Sequence, residues 1–444
     1  MRIKSIYICS RFYYGLSSLV GLFLMGHFFD LFFVLGVVGI VVFFVLLGID
    51  LLLLYGRRKS GKMSGERTLP ERFSNGDENH VHITVINDFP FQVTVEVIDE
   101  LPFQLQIRNF NRKGSLAPGR RWRFSYTVRP TERGEYHFGY LNVFARTRLG
   151  LISERFRLSE PAVVKVYPSF LQMRQFEIMA ISDRLSEMGV KKVRKFGHQM
   201  EFDQIREYIK GDDIRTINWK ATAKRHQLMV NQYQDEKSQQ MYSIIDMGRT
   251  MKMPFNGFSL LDYAINTSLI LSNIALLKHD KAGLITFNEK VRSIVAARRE
   301  PRHLNTIMEM LYNQQTGFGE HNMEALYAIV RRNIPQRSLL VIYTNFESLK
   351  SAYREIPLLR QLSSNHLLLV VFFENTEIEK MIHNKGGDVE EIYRQTIAEK
   401  FMFDKKLIVK ELEKNGIHAV LSKPGKLTVA TMNKYLEFKA KGLI

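Results

Sequence analysis

The chain has 444 residues, a formal net charge of +18, 45% hydrophobic residues and one cysteine, Cys9, a length that suits roughly two to four domains. A single cysteine excludes a disulfide framework and a cysteine zinc site, and 24% charged residues among abundant apolar ones exclude a disordered chain and a multi-span transporter. The positive charge calls for an anionic neighbour, either nucleic acid or the cytoplasmic face of a membrane.

Phe12 to Phe29 is an apolar run broken only by Gly, Ser, Tyr and His27, and Leu31 to Leu54 is a second, interrupted by Asp50. At about 1.5 Å per residue each is expected to cross a hydrocarbon core of roughly 30 Å. Asp30 lies in the short link between them, which predicts an antiparallel transmembrane hairpin over residues 1–56. Arg2, Lys4 and Arg11 precede the pair, and Arg57, Arg58, Lys59 and Lys62 follow it. By the positive-inside rule both ends then face the cytoplasm. Asp50 is expected near the interface, within reach of headgroups or water. Residues 57–74 read as a basic linker. Gly56 to Lys62 has phosphate-loop spacing, but Met63 stands where a Mg²⁺-holding Ser or Thr is required, and the segment follows a helix instead of a strand.

Residues 75–168 alternate apolar and polar side chains, as in His80–Ile86 and Phe91–Val97, with Asn87 to Pro90 as a turn. Further strands are predicted at Arg121–Val128, Glu135–Phe144 and Ala162–Tyr167, giving a small β-sandwich-like domain. It carries no Asp, Glu and His cluster with metal-ligand spacing, so it reads as a spacer or protein-binding module. Residues 169–240 form a connecting segment. Within it Gly211-Asp212-Asp213 predicts a turn and helix N-cap, with Lys224 and Arg225 at the far end where the helix dipole favours cations. Arg215, Asn218 and Trp219 are candidates for a partner-docking surface.

From Met241 the rhythm changes. Met241–Asp246, Ala282–Phe287, Ser338–Thr344, Leu367–Phe373 and Ile417–Leu421 are short apolar runs of the kind buried in a parallel sheet, and they alternate with helical segments at Leu260–Leu277, Asn322–Arg332, Glu355–Leu362 and Glu390–Lys414. This predicts a doubly wound α/β domain over residues 241–444, with Val291–Ala297 as an antiparallel edge strand. Ligands of such sheets sit beyond the carboxyl ends of the strands. The first strand ends Asp246-Met247-Gly248-Arg249-Thr250 and the fourth Tyr343-Thr344-Asn345-Phe346, oxygen-bearing tips of a kind that can face a hard divalent cation such as Mg²⁺.

Specific stretches carry a family resemblance. They are Arg133 to Gly139, Arg146-Thr147-Arg148-Leu149-Gly150-Leu151, Val166-Tyr167-Pro168 and, above all, Ile209 to Ala223. The chain resembles the family catalogued as domain of unknown function fifty-eight, whose members join a membrane hairpin and a β domain to a von Willebrand factor A-like domain. The resemblance implies a bacterial inner-membrane protein and a cytoplasmic partner of the MoxR-type AAA+ ATPase class, the pair acting in assembly or quality control of envelope or metal-containing complexes. It also implies a metal-ion-dependent adhesion site reading Asp-x-Ser-x-Ser. Here Asp246 is kept, Gly248 replaces the first Ser, Thr250 stands for the second, Asn345 replaces an Asp, and no threonine in Thr316–Asn322 matches the remaining ligand. One anionic ligand, with Arg249 adding positive charge beside it, points to an Asp246 that orders its own loop; a weak site for Mg²⁺ or another divalent cation is the alternative. Asp246, Arg249, Thr344 and Asn345 are the expected partner-facing residues.

No Gly-x-Ser-x-Gly elbow and no His-Glu-x-x-His motif occurs. His198, His226, His279 and His303 are scattered. The expectation is a non-enzymatic, membrane-anchored interaction protein. Competing readings are a metal-dependent hydrolase using Asp246 and Asp212, and nucleic-acid binding through the basic surface. The sequence holds no recognisable nucleic-acid reader module, so no nucleic acid is expected. Residues 1–70 hold eight basic residues against three acidic ones, a share of the charge that serves topology.

Overall fold

Between Asp30 and Asp50 lie nineteen consecutive uncharged residues, about 28 Å of helix at 1.5 Å per residue. In the computed structural model they belong to helix α2, Asp30–Tyr55, which packs antiparallel to α1, Ser10–Gly26. The structure describes residues 6–56, 63–181, 201–210, 212–234, 239–317, 319–374 and 389–444. Arg2, Lys4, Arg57, Arg58, Lys59 and Lys62, on which the expected topology rests, lie outside the described residues, as does Gly211 of the family motif. The chain divides into two units, Met1–Tyr167 and Pro168–Ile444.

In the first unit, α1 is shorter than the run Phe12–Phe29 suggested: it has 17 residues and ends at Gly26. His27, Phe28 and Phe29 make the link, and Asp30 is the first residue of α2 instead of the turn, where the helix dipole favours its carboxylate. The two helices approach closely at small residues. A Cβ on Gly15 would lie 2.7 Å from the Phe43 ring, and one on Gly36 would lie 3.1 Å from that of Phe23. Among the described residues two helices are long and apolar enough to cross a membrane by length and composition: α2, whose apolar 18-residue stretch is 6% buried, and Leu260–Leu277, which is 78% buried as a core helix of the second unit.

The buried residues of α2 are Gly36, Phe43, Asp50 and Leu54, one stripe along the helix. Asp50 is fully buried, not facing headgroups or water as expected. It accepts hydrogen bonds from the Leu151 and Ile152 amides at 2.9 and 3.1 Å and from the Thr147 hydroxyl. Arg11, at the start of α1, donates to the Arg148 and Leu149 carbonyls at 2.9 and 3.0 Å. Gly150 holds a positive φ of 67° that closes this turn. The Arg146–Leu151 motif is therefore the socket into which the ends of both helices plug.

Three sheets complete the unit. The first runs Ile6–Ile8, Ile152–Ser159, Leu141–Arg146, Val93–Asp99, Arg112–Leu116; the second Met63–Thr68, Asn79–Asn87, Arg121–Val128; the third Arg72–Ser74, Ala162–Tyr167, Gly134–Phe138. Alternation buries Val81, Ile83 and Val85 against Val93, Val95 and Val97, and Leu54 of α2 joins the same core. The segment read as a basic linker thus carries two strands. Its polarity hid them, because the inward side chain is Arg67, whose guanidinium pairs with Asp99 at 2.5 Å with both side chains fully buried. Tyr126 donates to the other Asp99 oxygen at 2.5 Å, and Arg67 also donates to the Gly139 and Glu160 carbonyls at 3.1 and 3.3 Å. Hydrogen-bonding partners on this scale make a buried arginine tolerable.

The second unit is built on a six-stranded sheet ordered Val291–Arg298, Lys281–Phe287, Gln240–Asp246, Leu339–Tyr343, Leu367–Phe373, His418–Ser422. Only Val291–Arg298 is antiparallel, an edge strand as expected. One face packs on helices Met323–Asn333, Leu349–Asn365 and Val389–Lys414. On the other, Leu260–Leu277 covers Gln240–Asp246 and Lys281–Phe287 and is itself flanked by Phe170–Ile181, His303–Tyr312 and Leu427–Ala440. A capping box fixes its start: the Asp262 amide donates to Ser259 Oγ at 3.2 Å and the Ser259 amide to Asp262 Oδ2 at 2.9 Å. The chain leaves Gln240–Asp246 for Lys281–Phe287 on one side and later returns to Leu339–Tyr343 on the other. This reversal of strand order opens a crevice between the ends of Gln240–Asp246 and Leu339–Tyr343.

Candidate functional site

Asp246 ends the first of these two strands and Thr344-Asn345 follows the second, so the reversal brings together the two oxygen-rich tips singled out from sequence. Asp246 is fully buried. Its Oδ1 accepts from the Gly248 amide at 2.7 Å, and its Oδ2 accepts from Thr344 Oγ1 at 2.7 Å. Asp246 therefore orders its own loop and ties it to the neighbouring strand end.

A residue not singled out from sequence completes the arrangement. His321 places Nδ1 2.9 Å from Asp246 Oδ2 and Nε2 2.9 Å from Oε1 of Glu355, itself buried on helix Leu349–Asn365. Burial alone would push the imidazole down. The hydrogen bonds and negative charges of Asp246 and Glu355 outweigh it and hold the ring pKa at about 10. The signal available in sequence was position: His321 stands inside Thr316–Asn322, where the resemblance implies a threonine ligand.

Asn345 is likewise engaged. Its Oδ1 accepts from Lys405 Nζ at 2.6 Å, Lys405 also donates to the Phe346 carbonyl, and Asn345 Nδ2 donates to the Thr250 carbonyl at 3.4 Å. Burial pushes the Lys405 ammonium down to about 8, partly opposed by Glu347. Thr250 keeps a buried hydroxyl with no hydrogen-bond partner among the described residues.

The residues present do not fit the divalent ion implied by the resemblance. Both Asp246 oxygens are committed to donors, Gly248 brings no hydroxyl, and Asn345 turns its oxygen to an ammonium. Among the described residues no group of three or more His, Cys, Asp or Glu is placed to hold a metal ion. Restoring the missing hydroxyl would meet a filled space, because a Cβ on Gly248 would lie 3.0 Å from Asp246 Oδ1 and 3.1 Å from the His321 amide nitrogen. Gly248→Ser is accordingly expected to cost about 1–2 kcal/mol of stability by overpacking, read as a lower melting temperature; an unchanged melting temperature would contradict the crowding.

The expected partner-facing set divides in two. Asp246, Thr344 and Asn345 are buried, because they bond one another and the loops around them. Arg249 is at the surface, its guanidinium 3.2 Å from Glu347, with side chains 53% and 54% exposed. In the family motif, Asp213 caps a short turn Ile214–Thr216, and the helix proper starts later, at Trp219–Arg225, capped by Asn218 through the Ala221 amide at 3.0 Å. Asn218 also donates to Asn231 at 2.8 Å, so it serves the fold. Trp219 is 68% exposed, and Arg215 is also at the surface. Asp212, a candidate catalyst in the hydrolase reading, accepts both guanidinium nitrogens of Arg206 at 2.8 and 2.6 Å; that pairing holds its carboxyl below the usual range.

Residues 204–386 match the family described as protein of unknown function DUF58. A Bacillus subtilis (strain 168) relative, "Uncharacterized protein YeaD", is 28% identical over 180 residues, which are 38% of this chain and 44% of the relative. The chain thus spans less than half the length of that curated relative. Among solved structures, the conserved hypothetical protein BatB from Bacteroides thetaiotaomicron is matched over all of its chain and 46% of this one, at 12% identity and a TM-score of 0.30. The CARDB domain of a Pyrococcus furiosus protein is matched over 94% of its length and 24% of this chain, at 15% identity and a TM-score of 0.17.

Proposed function

Residues 204–386 belong to the DUF58 family, and from that premise we propose that this protein is a membrane-anchored, non-enzymatic interaction protein. Its C-terminal unit is a von Willebrand factor A-like domain, and its strand-end face docks a cytoplasmic partner, for which the resemblance suggests a MoxR-type AAA+ ATPase acting in assembly or quality control of envelope or metal-containing complexes. The α1–α2 hairpin is the anchor in a bacterial inner membrane, with both termini in the cytoplasm.

The observation that carries this reading is the state of the strand-end crevice. Both oxygens of the buried Asp246 are taken up by donors, an arrangement that suits a rigid docking face better than turnover, while Arg249 and Glu347 form a half-exposed pair on the loops that follow the two strands. An exposed pair of this kind contributes only about 0–1 kcal/mol, so a partner carboxylate can take over Arg249 at little cost. Capture of the full chain from solubilised membranes, followed by mass spectrometry, is expected to recover an AAA+ ATPase. Arg249→Glu is expected to weaken that capture by about tenfold or more, since a like charge replaces an attractive one, while changing stability by less than about 1 kcal/mol. Repeated absence of any such ATPase, or capture indifferent to the charge at position 249, would overturn the assignment.

A further inference from the structure

A histidine ring stands in the crevice for which the family resemblance implies a metal ion. Both carboxylate oxygens of Asp246 serve as acceptors, Oδ1 for the Gly248 amide and Oδ2 for the Thr344 hydroxyl. Each ring nitrogen of His321 faces a carboxylate oxygen at 2.9 Å. A neutral imidazole has one N–H and can serve only one acceptor, so two acceptors on opposite sides call for the doubly protonated cation. The second position where the implied metal site departs, Asn345, receives the Lys405 ammonium at 2.6 Å. Between them, His321 and Lys405 bring two positive charges to the loops that a divalent ion would otherwise hold together. Gly248 fits the same scheme, because its missing side chain leaves room for the His321 backbone, 3.1 Å from where a Cβ would stand.

We infer that the His321 imidazolium is a built-in cation that orders the strand-end loops in place of a divalent metal ion, with Gly248 as its matched partner. This inference deepens the reading of the strand-end face as a docking surface, and it makes docking independent of metal.

The test uses the full-length protein in detergent with Mn²⁺ alone as the probe. Wild-type protein is expected to show no saturable Mn²⁺ binding by calorimetry or electron paramagnetic resonance, and a melting temperature unmoved by Mn²⁺ or by chelator. In ¹⁵N-histidine spectra at neutral pH both ring nitrogens of His321 are expected to be protonated. His321→Ala removes the ring and leaves two buried carboxylates around a ring-sized space. It is expected to bind Mn²⁺ at least about tenfold more tightly than wild type, and adding Asp246→Asn is expected to abolish the gain. Asp246-dependent Mn²⁺ binding by the wild type would overturn the inference. So would a bare ring nitrogen on His321, or a folded His321→Ala variant that binds no better than wild type. Should that variant fail to fold, the ring spectrum of the wild type decides. No partner is present in any of these measurements, so failed capture of an ATPase leaves them standing, and their failure leaves the partner assignment standing.

Discussion

Protein carrying His321→Gln is expected to lose about 3–5 kcal/mol of stability, the penalty for leaving buried charge without its counter-charge. For a unit of this size that corresponds to a melting temperature lower by roughly 6–15 °C. Glutamine keeps a donor and much of the volume, so the loss isolates the positive charge that Asp246 and Glu355 face. The same residue sets a pH dependence. Folded, His321 keeps its proton up to about pH 10, against an ordinary value of 6.5. Between those values the folded chain binds the extra proton, so the stabilisation is complete below 6.5 and declines as pH rises. Lys405 has the opposite sign: its ammonium is pushed down from 10.5 to about 8, so above 8 the unfolded chain binds the extra proton and stability gains with pH. His366 and His418 are pushed below 6.5 by burial and titrate under this window. Wild-type stability is therefore expected to fall by about 1.4 kcal/mol per unit from pH 6.5 to about 8 and then to flatten. In His321→Gln the first slope is expected to vanish and stability to rise above pH 8. Thermal melts of both proteins across this range check the prediction, and an unchanged slope in the variant would show that His321 is not the titrating group.

The second large effect belongs to Asp50. Asp50→Ala strips acceptors from the Leu151 and Ile152 amides and from the Thr147 hydroxyl. A buried donor left unpaired costs about 1–3 kcal/mol, so a loss of about 3 kcal/mol or more is expected for the first unit. Asp50→Asn retains one acceptor and is expected to lose roughly half as much. Hydrogen exchange is the direct measurement: the Leu151 and Ile152 amides should exchange much faster in the alanine variant, and the 146–151 turn should become a site of limited proteolysis. Unchanged protection there would mean that the helix end is held by the packing of Leu54 and not by the carboxylate.

Much of the fold is legible in sequence because periodicity is a local property. In the second unit the five parallel strands and the helix Leu260–Leu277 match their apolar runs closely, since a strand buried on both faces must be apolar throughout. In the first unit Val81, Ile83 and Val85 announce a half-buried strand for the same reason. Elements that break the pattern were missed: Met63–Thr68 turns an arginine inward, Arg112–Leu116 is mostly polar, and Glu135–Phe144 divides into two strands at Gly139 and Tyr140. The amphipathic helix His303–Tyr312 and the helix Leu427–Ala440, whose apolar residues favour no one face, are also absent from the expected elements, as is the edge of the first sheet, where Ile6–Ile8 pairs with Ile152–Ser159.

By itself, then, the sequence determined the apolar helices, the order of strands and helices, the family motif and the two oxygen-rich strand tips, all consequences of neighbours along the chain. Only the tertiary structure decided what those tips do. Asp246, His321 and Glu355 lie far apart in sequence and meet because strand order reverses beside Gln240–Asp246. Likewise, Asp50 becomes a structural anchor only where Thr147–Ile152 closes over it. A charge takes its role from the groups that surround it after burial, and a sequence displays those groups one at a time, at positions that do not reveal their distance.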